Sequence, residues 1–166
     1  MIDIKLLEQL CLCNGISGDE VNVRNLIINE IKDCADDIKT DNLGNLIVFK
    51  KGKKSAKSKL MVSAHMDEVG LMVTDITSDG YLKFDEVGGI DRRVLPGKRV
   101  CVGRNGLNGV IGVKPIHLTN SDEKTAVPKM NDMYIDIGAE SREDALKYVN
   151  YLSLIHISEP TRRTPI

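Results

Sequence analysis

A chain of 166 residues, 42% hydrophobic and 28% charged, has the length and apolar content for one ordinary core or two small ones. A formal net charge of −1 gives no global reason to bind nucleic acid, and no apolar run reaches the length that crosses a bilayer. The opening Met1-Ile2-Asp3-Ile4-Lys5 lacks the basic region and long apolar stretch of a signal peptide, so a cytoplasmic location is expected.

Leu6, Leu7 and Leu10 predict a short amphipathic helix near the start. Asn14-Gly15-Ile16-Ser17-Gly18-Asp19-Glu20 is a glycine-punctuated loop in which Ser17 and Glu20 fit a capping box for a second helix. The apolar stripe Val23, Leu26, Ile27 and Ile31 carries that helix to about Cys34. Leu46–Phe49 is expected as a buried strand after a turn at Asp41-Asn42-Leu43-Gly44. The lysines between Lys50 and Lys59 lack interleaved aromatics and read as a solvated loop rather than a nucleic-acid patch. Leu60–Ala64 is expected as a second buried strand, with His65 at its C-terminal end, where open α/β sheets place their ligands.

From about residue 70 the texture changes to short β-like runs: Leu71–Ile76, Tyr81–Val87, Lys98–Val102, Val110–Val113 and Met133–Ile137. Asn105-Gly106 and Asn108-Gly109 are expected as turns, and Ser141 with Asp144 opens a helix through Leu146 and Val149. An α/β beginning thus gives way to a mostly β module. Residues 152–166 continue no pattern and resemble the translation of a transposase sequencing adapter, so they are read as a sequencing-adapter artefact to be excluded from the fold.

Cys11, Cys13, Cys34 and Cys101 form no C-x-x-C pair and are expected as small buried hydrophobes rather than zinc ligands or disulfides. No phosphate-binding loop is present, and Ser17 and Ser63 lack a nucleophile-elbow setting. His65-Met66-Asp67 is the chemical candidate. An imidazole can hold a metal through one nitrogen while a nearby carboxylate orients the ring. Taken alone, the pair is a weak signal, and a lone surface or hydrogen-bonded histidine is the favoured reading. Glu68 beside it fits either acid–base work or a structural contact.

Ala64-His65-Met66-Asp67-Glu68-Val69-Gly70 resembles the first metal motif of the tetrahedral, glutamyl and deblocking aminopeptidases, relatives of which are also labelled cellulase M or endoglucanase. Further landmarks of that family occur in order: Gly15-Ile16-Ser17-Gly18, Asp41-Asn42-Leu43-Gly44-Asn45, Gly88-Gly89-Ile90-Asp91, Val94-Leu95-Pro96-Gly97-Lys98-Arg99-Val100 and Gly109-Val110-Ile111-Gly112. Lys114-Pro115-Ile116-His117-Leu118 and Met133–Ala139 extend the resemblance, which covers roughly residues 4 to 150.

The resemblance implies an α/β fold: an incomplete zinc-peptidase-like catalytic domain, begun by residues 1–68, interrupted by a mostly β, PDZ-like dimerisation domain over 69–151. It implies that His65 ligates one of two divalent metals, zinc or cobalt, and that Asp67 is the supporting catalytic aspartate. The substrates would be peptides with a free N-terminus, and the β-rich insert would build a homo-oligomer; no nucleic acid or membrane is expected as a partner. The family's remaining ligands and its general base fall beyond the resemblance. His156 lies in the adapter-like tail, and His117 is expected to be structural. With one metal ligand, the 166-residue chain is expected to be inert. Two other readings are a non-catalytic assembly module, since the β insert is nearly whole, and an endoglucanase-type glycosidase. The latter needs an aromatic-lined cleft between two carboxylates, which a chain with no Trp and 4% aromatics does not favour.

Overall fold

The computed structural model describes residues 3–54, 58–114 and 127–157. They fall into two compact units, Met1–Glu68 and Val69–Ile166.

The first unit begins with α1 (Ile4–Leu12), whose N-cap Asp3 accepts from the amides of Lys5 and Leu6 at 3.0 and 3.2 Å. This satisfies two of the amides a helix start leaves open. The second helix, α2 (Val21–Ile31), stops at Lys32, short of the expected Cys34. A hairpin follows, β1 (Asp37–Thr40) antiparallel to β2 (Leu46–Phe49). Its turn is built by the Asp41 carboxylate, which accepts from the amides of Leu43 and Asn45 and from the Asn45 side chain. These hydrogen bonds hold the Asp41 carboxyl below the usual carboxylate range. Arg24 ties α2 to this turn by donating to the Gly44 carbonyl at 3.0 Å.

The expected strand at Leu60–Ala64 does not form. Leu60, Met61 and Val62 stand exposed, Leu60 by 91%. A buried strand needs neighbours to take its backbone hydrogen bonds, and none of the described residues pairs with this run. The cysteines depart from expectation as well. All four thiols are free, but Cys11 and Cys34 are exposed and Cys13 and Cys101 only half-buried.

The second unit is a closed antiparallel barrel. Its strands are β3 (Gly70–Ile76), β4 (Leu82–Val87), β5 (Arg99–Val102), β6 (Leu107–Val113), β7 (Met133–Asp136) and β8 (Leu154–Ile157), in the spatial order β3-β4-β7-β6-β5-β8. The inward residues alternate along each strand and meet in one core of Leu71, Val73, Ile76, Leu82, Ile111, Ile135 and their neighbours. Along β3 the alternation breaks once. A register shift between Val73 and Asp75 leaves Thr74 and Asp75 outside and returns Ile76 to the core, which is how a bulge corrects phase without a second fold error. A one-turn helix, α3 (Arg142–Ala145), is capped by the Ser141 hydroxyl, which accepts from the Asp144 amide at 3.2 Å.

Two expectations about this unit change. Asn108-Gly109 lies inside β6 rather than in a turn, because a side chain on Gly109 would come within 2.7 Å of Ile135 Cγ2 and 3.2 Å of the Asp136 carbonyl; glycine is what lets β6 and β7 approach. Residues 154–157, expected to stand outside the fold, pair with β3 on one side and β5 on the other. Apolar residues in extended backbone suffice for that, with Ile155 fully buried.

Gly80 closes the β3–β4 turn at φ +85°, and a Cβ there would sit 2.7 Å from the Ala139 carbonyl oxygen. Left-handed backbone and a backbone neighbour both oppose a side chain. Gly80→Ala is expected to cost about 2 kcal/mol in urea unfolding of the barrel unit; a variant as stable as wild type would contradict the turn geometry.

Candidate functional site

The 65–68 segment is held by the Gly15–Gly18 loop, both within the first unit. Ile16 and Glu68 form a parallel bridge: the Glu68 amide donates to the Gly15 carbonyl at 2.7 Å, and the Gly15 amide donates to Glu68 Oε1 at 3.3 Å. Ile16 is fully buried, so the loop is anchored by packing as well as by backbone. Gly15 is required there, since a Cβ would lie 2.5 Å from Val23 Cγ2 and 3.3 Å from the Met66 carbonyl. Burial and the nearby Glu68 carboxylate together push the Cys13 thiol above its ordinary value. Glu68 thus makes a contact that holds the Gly15 loop.

His65 and Asp67 are brought together. His65 Nδ1 lies 3.0 Å from Asp67 Oδ1 and 3.0 Å from the Asp67 backbone carbonyl. A peptide carbonyl only accepts, and so does an ionised carboxylate, so Nδ1 carries the proton and donates to both. In a neutral ring Nε2 then keeps its lone pair, and the side chain is 85% exposed. An open, unprotonated Nε2 is what metal ligation by imidazole needs, so the residues fit one ligand position. Among the described residues no group of three His, Cys, Asp or Glu side chains is arranged to hold a metal ion. A complete site of the usual three protein ligands would need further residues.

The residue missed from sequence is Ser17. Expected to cap α2, its hydroxyl instead donates to Asp67 Oδ2 at 2.5 Å. The helix starts at Val21, Glu20 is its N-cap without a side-chain cap bond, and the Glu20 carboxylate accepts from the Gly18 amide. Together the Ser17 hydroxyl and, next in weight, the His65 ring hold the Asp67 carboxyl below the usual carboxylate range. No local pattern could have found this contact, which spans 50 residues. His156 lies on β8 in the second unit, opposite Cys101 in the strand register, and His117 lies outside the described residues.

A profile of the M42 glutamyl aminopeptidase family matches residues 44–165. The lysyl aminopeptidase of Pyrococcus furiosus is 36% identical over 149 residues, 87% of this chain and 42% of the relative. The TET aminopeptidase of a marine sediment Thaumarchaeota archaeon superposes with a TM-score of 0.85 at 34% identity, over 93% of this chain and 44% of that one. The TET1 peptidase of Pyrococcus horikoshii, which can assemble into a tetrahedron or a large octahedral shell, gives a TM-score of 0.80 at 44% identity, over 93% and 46%. The chain thus spans less than half the length of each of these proteins.

Proposed function

The chain belongs to the M42 glutamyl aminopeptidase family, and from that membership we propose that the protein is a metal-dependent aminopeptidase that removes N-terminal residues from peptides, with His65 as one ligand of a two-metal site and Asp67 as its supporting aspartate. The observation that carries this reading is the His65–Asp67 pair itself, with Nδ1 committed to the carboxylate and Nε2 left open. A bound pair of zinc or cobalt ions would supply a water of lowered pKa and a polarised scissile carbonyl. Asp67 fixes the ring's tautomer and angle, and the Gly15–Gly18 loop fixes the segment that carries both. A complete site would need further ligands and a general base besides His65 and Asp67. The substrate is a peptide with a free α-amino group, which the same site would hold.

The barrel unit is, in this reading, the PDZ-like dimerisation domain through which copies assemble; the assemblies named for the Pyrococcus horikoshii relative support it. A cytoplasmic location is part of the same proposal. Among the described residues, no helix is long and apolar enough to cross a membrane.

The test is a digest of one peptide in two forms, free and N-acetylated, followed by mass spectrometry. The full-length gene product is expected to shorten the free peptide one residue at a time and to leave the acetylated one intact. The 166-residue chain alone is expected to release nothing above background. Internal cleavage, or equal attack on the acetylated peptide, would overturn the aminopeptidase reading.

A further inference from the structure

Three observations about Ser17 stand together. Its hydroxyl donates to Asp67 Oδ2, while Oδ1 of the same carboxylate receives the His65 ring N–H at 3.0 Å. The hydroxyl does not build the helix that follows, because α2 starts at Val21 under Glu20 with no side-chain cap. Nor is it the loop's sole anchor: the buried Ile16, the two hydrogen bonds between Gly15 and Glu68, and the Asp19 amide bonded to the Ile16 carbonyl hold the loop as well. What the hydroxyl determines is the orientation of the carboxylate. An aspartate side chain has two rotatable bonds, and a donor on each oxygen fixes both. With Oδ2 released to water, the plane is free to turn and Oδ1 loses its alignment with Nδ1.

We propose that Ser17 is a positioning residue of the His65 site, acting through Asp67 to hold the imidazole so that Nε2 faces outward as a ligand. This rests on the reading of His65 and Asp67 as site residues. It gives the Gly-Ile-Ser-Gly loop a chemical task in addition to its turn. The chain runs hydroxyl to carboxylate to imidazole, each link a hydrogen bond with a defined donor. Outer partners of metal-bound histidines change metal affinity by about 10–100-fold when removed. Ser17 sits one link further out, so the lower end of that range is expected.

The experiment compares Ser17→Thr, which keeps the hydroxyl, with Ser17→Val, which has nearly the same shape without it. The first arm uses the metal-free 166-residue chain labelled with 15N-histidine. Its three histidines allow His65 to be assigned by loss of its signal in His65→Gln. Wild type and Ser17→Thr are expected to show His65 protonated on Nδ1, and Ser17→Val, in which only the Asp67 backbone carbonyl still holds the Nδ1–H, to show a larger share of the Nε2–H form. The second arm titrates the metal-free full-length gene product with Co2+ and follows visible absorption. Ser17→Val is expected to bind about 10-fold more weakly than wild type, with Ser17→Thr restoring the affinity. If Thr and Val behave alike in both arms, whether both like wild type or both impaired, the hydroxyl positions nothing and the proposal falls. A wild type that binds no cobalt and hydrolyses no peptide would sink the aminopeptidase reading, while the nitrogen shifts would still decide whether Ser17 controls the ring.

Discussion

His65→Ala in the full-length gene product is expected to lower kcat/KM for a free peptide by about 10³-fold or more. Metal polarisation and water activation contribute several kcal/mol of transition-state stabilisation, and each 1.36 kcal/mol is a factor of ten. Losing one ligand from a site that needs at least three removes most of that. The fold should not suffer, because the side chain is 85% exposed and, among the described residues, its hydrogen bonds go to Asp67, two residues away. Steady-state kinetics beside a thermal melt checks both halves. A variant that keeps a tenth of the activity, or one that loses activity together with its fold, would not support a ligand role.

Ile155→Ala is expected to destabilise the barrel unit by about 2–5 kcal/mol, the range for truncating a fully buried isoleucine. Ile155 is completely buried and stands in register with Leu71 of β3 and Val102 of β5, so the truncation opens a hole where the barrel closes. Thr74→Ala, at the exposed bulge of β3, serves as the comparison and should change stability by no more than about 0.5 kcal/mol. Urea unfolding measures both. If Ile155→Ala costs no more than Thr74→Ala, the segment from residue 154 does not close the barrel.

The two units differ in how far their sequence reveals them. In the barrel unit, alternating apolar residues with a buried inner face mark β3, β4, β5 and β7 to within a residue or so, since period-two patterning is enforced wherever one face is buried. Gly109 misleads because an Asn-Gly pair signals a turn locally, whereas the reason for this glycine is Ile135 on a strand 26 residues away. Leu154–Ile157 misleads in the opposite direction: a tail with no pattern of its own acquires one from the two strands that flank it. In the first unit, Leu46–Phe49 is legible from composition, but Leu60–Ala64 has the composition of a strand and no pairing partner among the described residues. Strand propensity describes a surface that fits neighbours, and without them it specifies little.

The candidate site divides along the same line. His65 and Asp67 are two residues apart, so their contact is readable from spacing, and the flanking landmarks raise a weak motif to a specific one. Ser17 is not readable. Its local context offers a capping box, and the alternative partner lies 50 residues along the chain. Side-chain donors choose between local and distant acceptors on geometry that only the folded loop provides.

The central claim is that His65 binds metal through Nε2 while Asp67 holds Nδ1. A crystal of the full-length gene product loaded with zinc, with anomalous scattering recorded at the zinc edge, tests it most directly. The expected result is an anomalous peak about 2.0–2.1 Å from His65 Nε2, with Nδ1 still donating to Asp67. A zinc ion bound through Nδ1, or a zinc site from which the His65 ring is absent, would contradict the account.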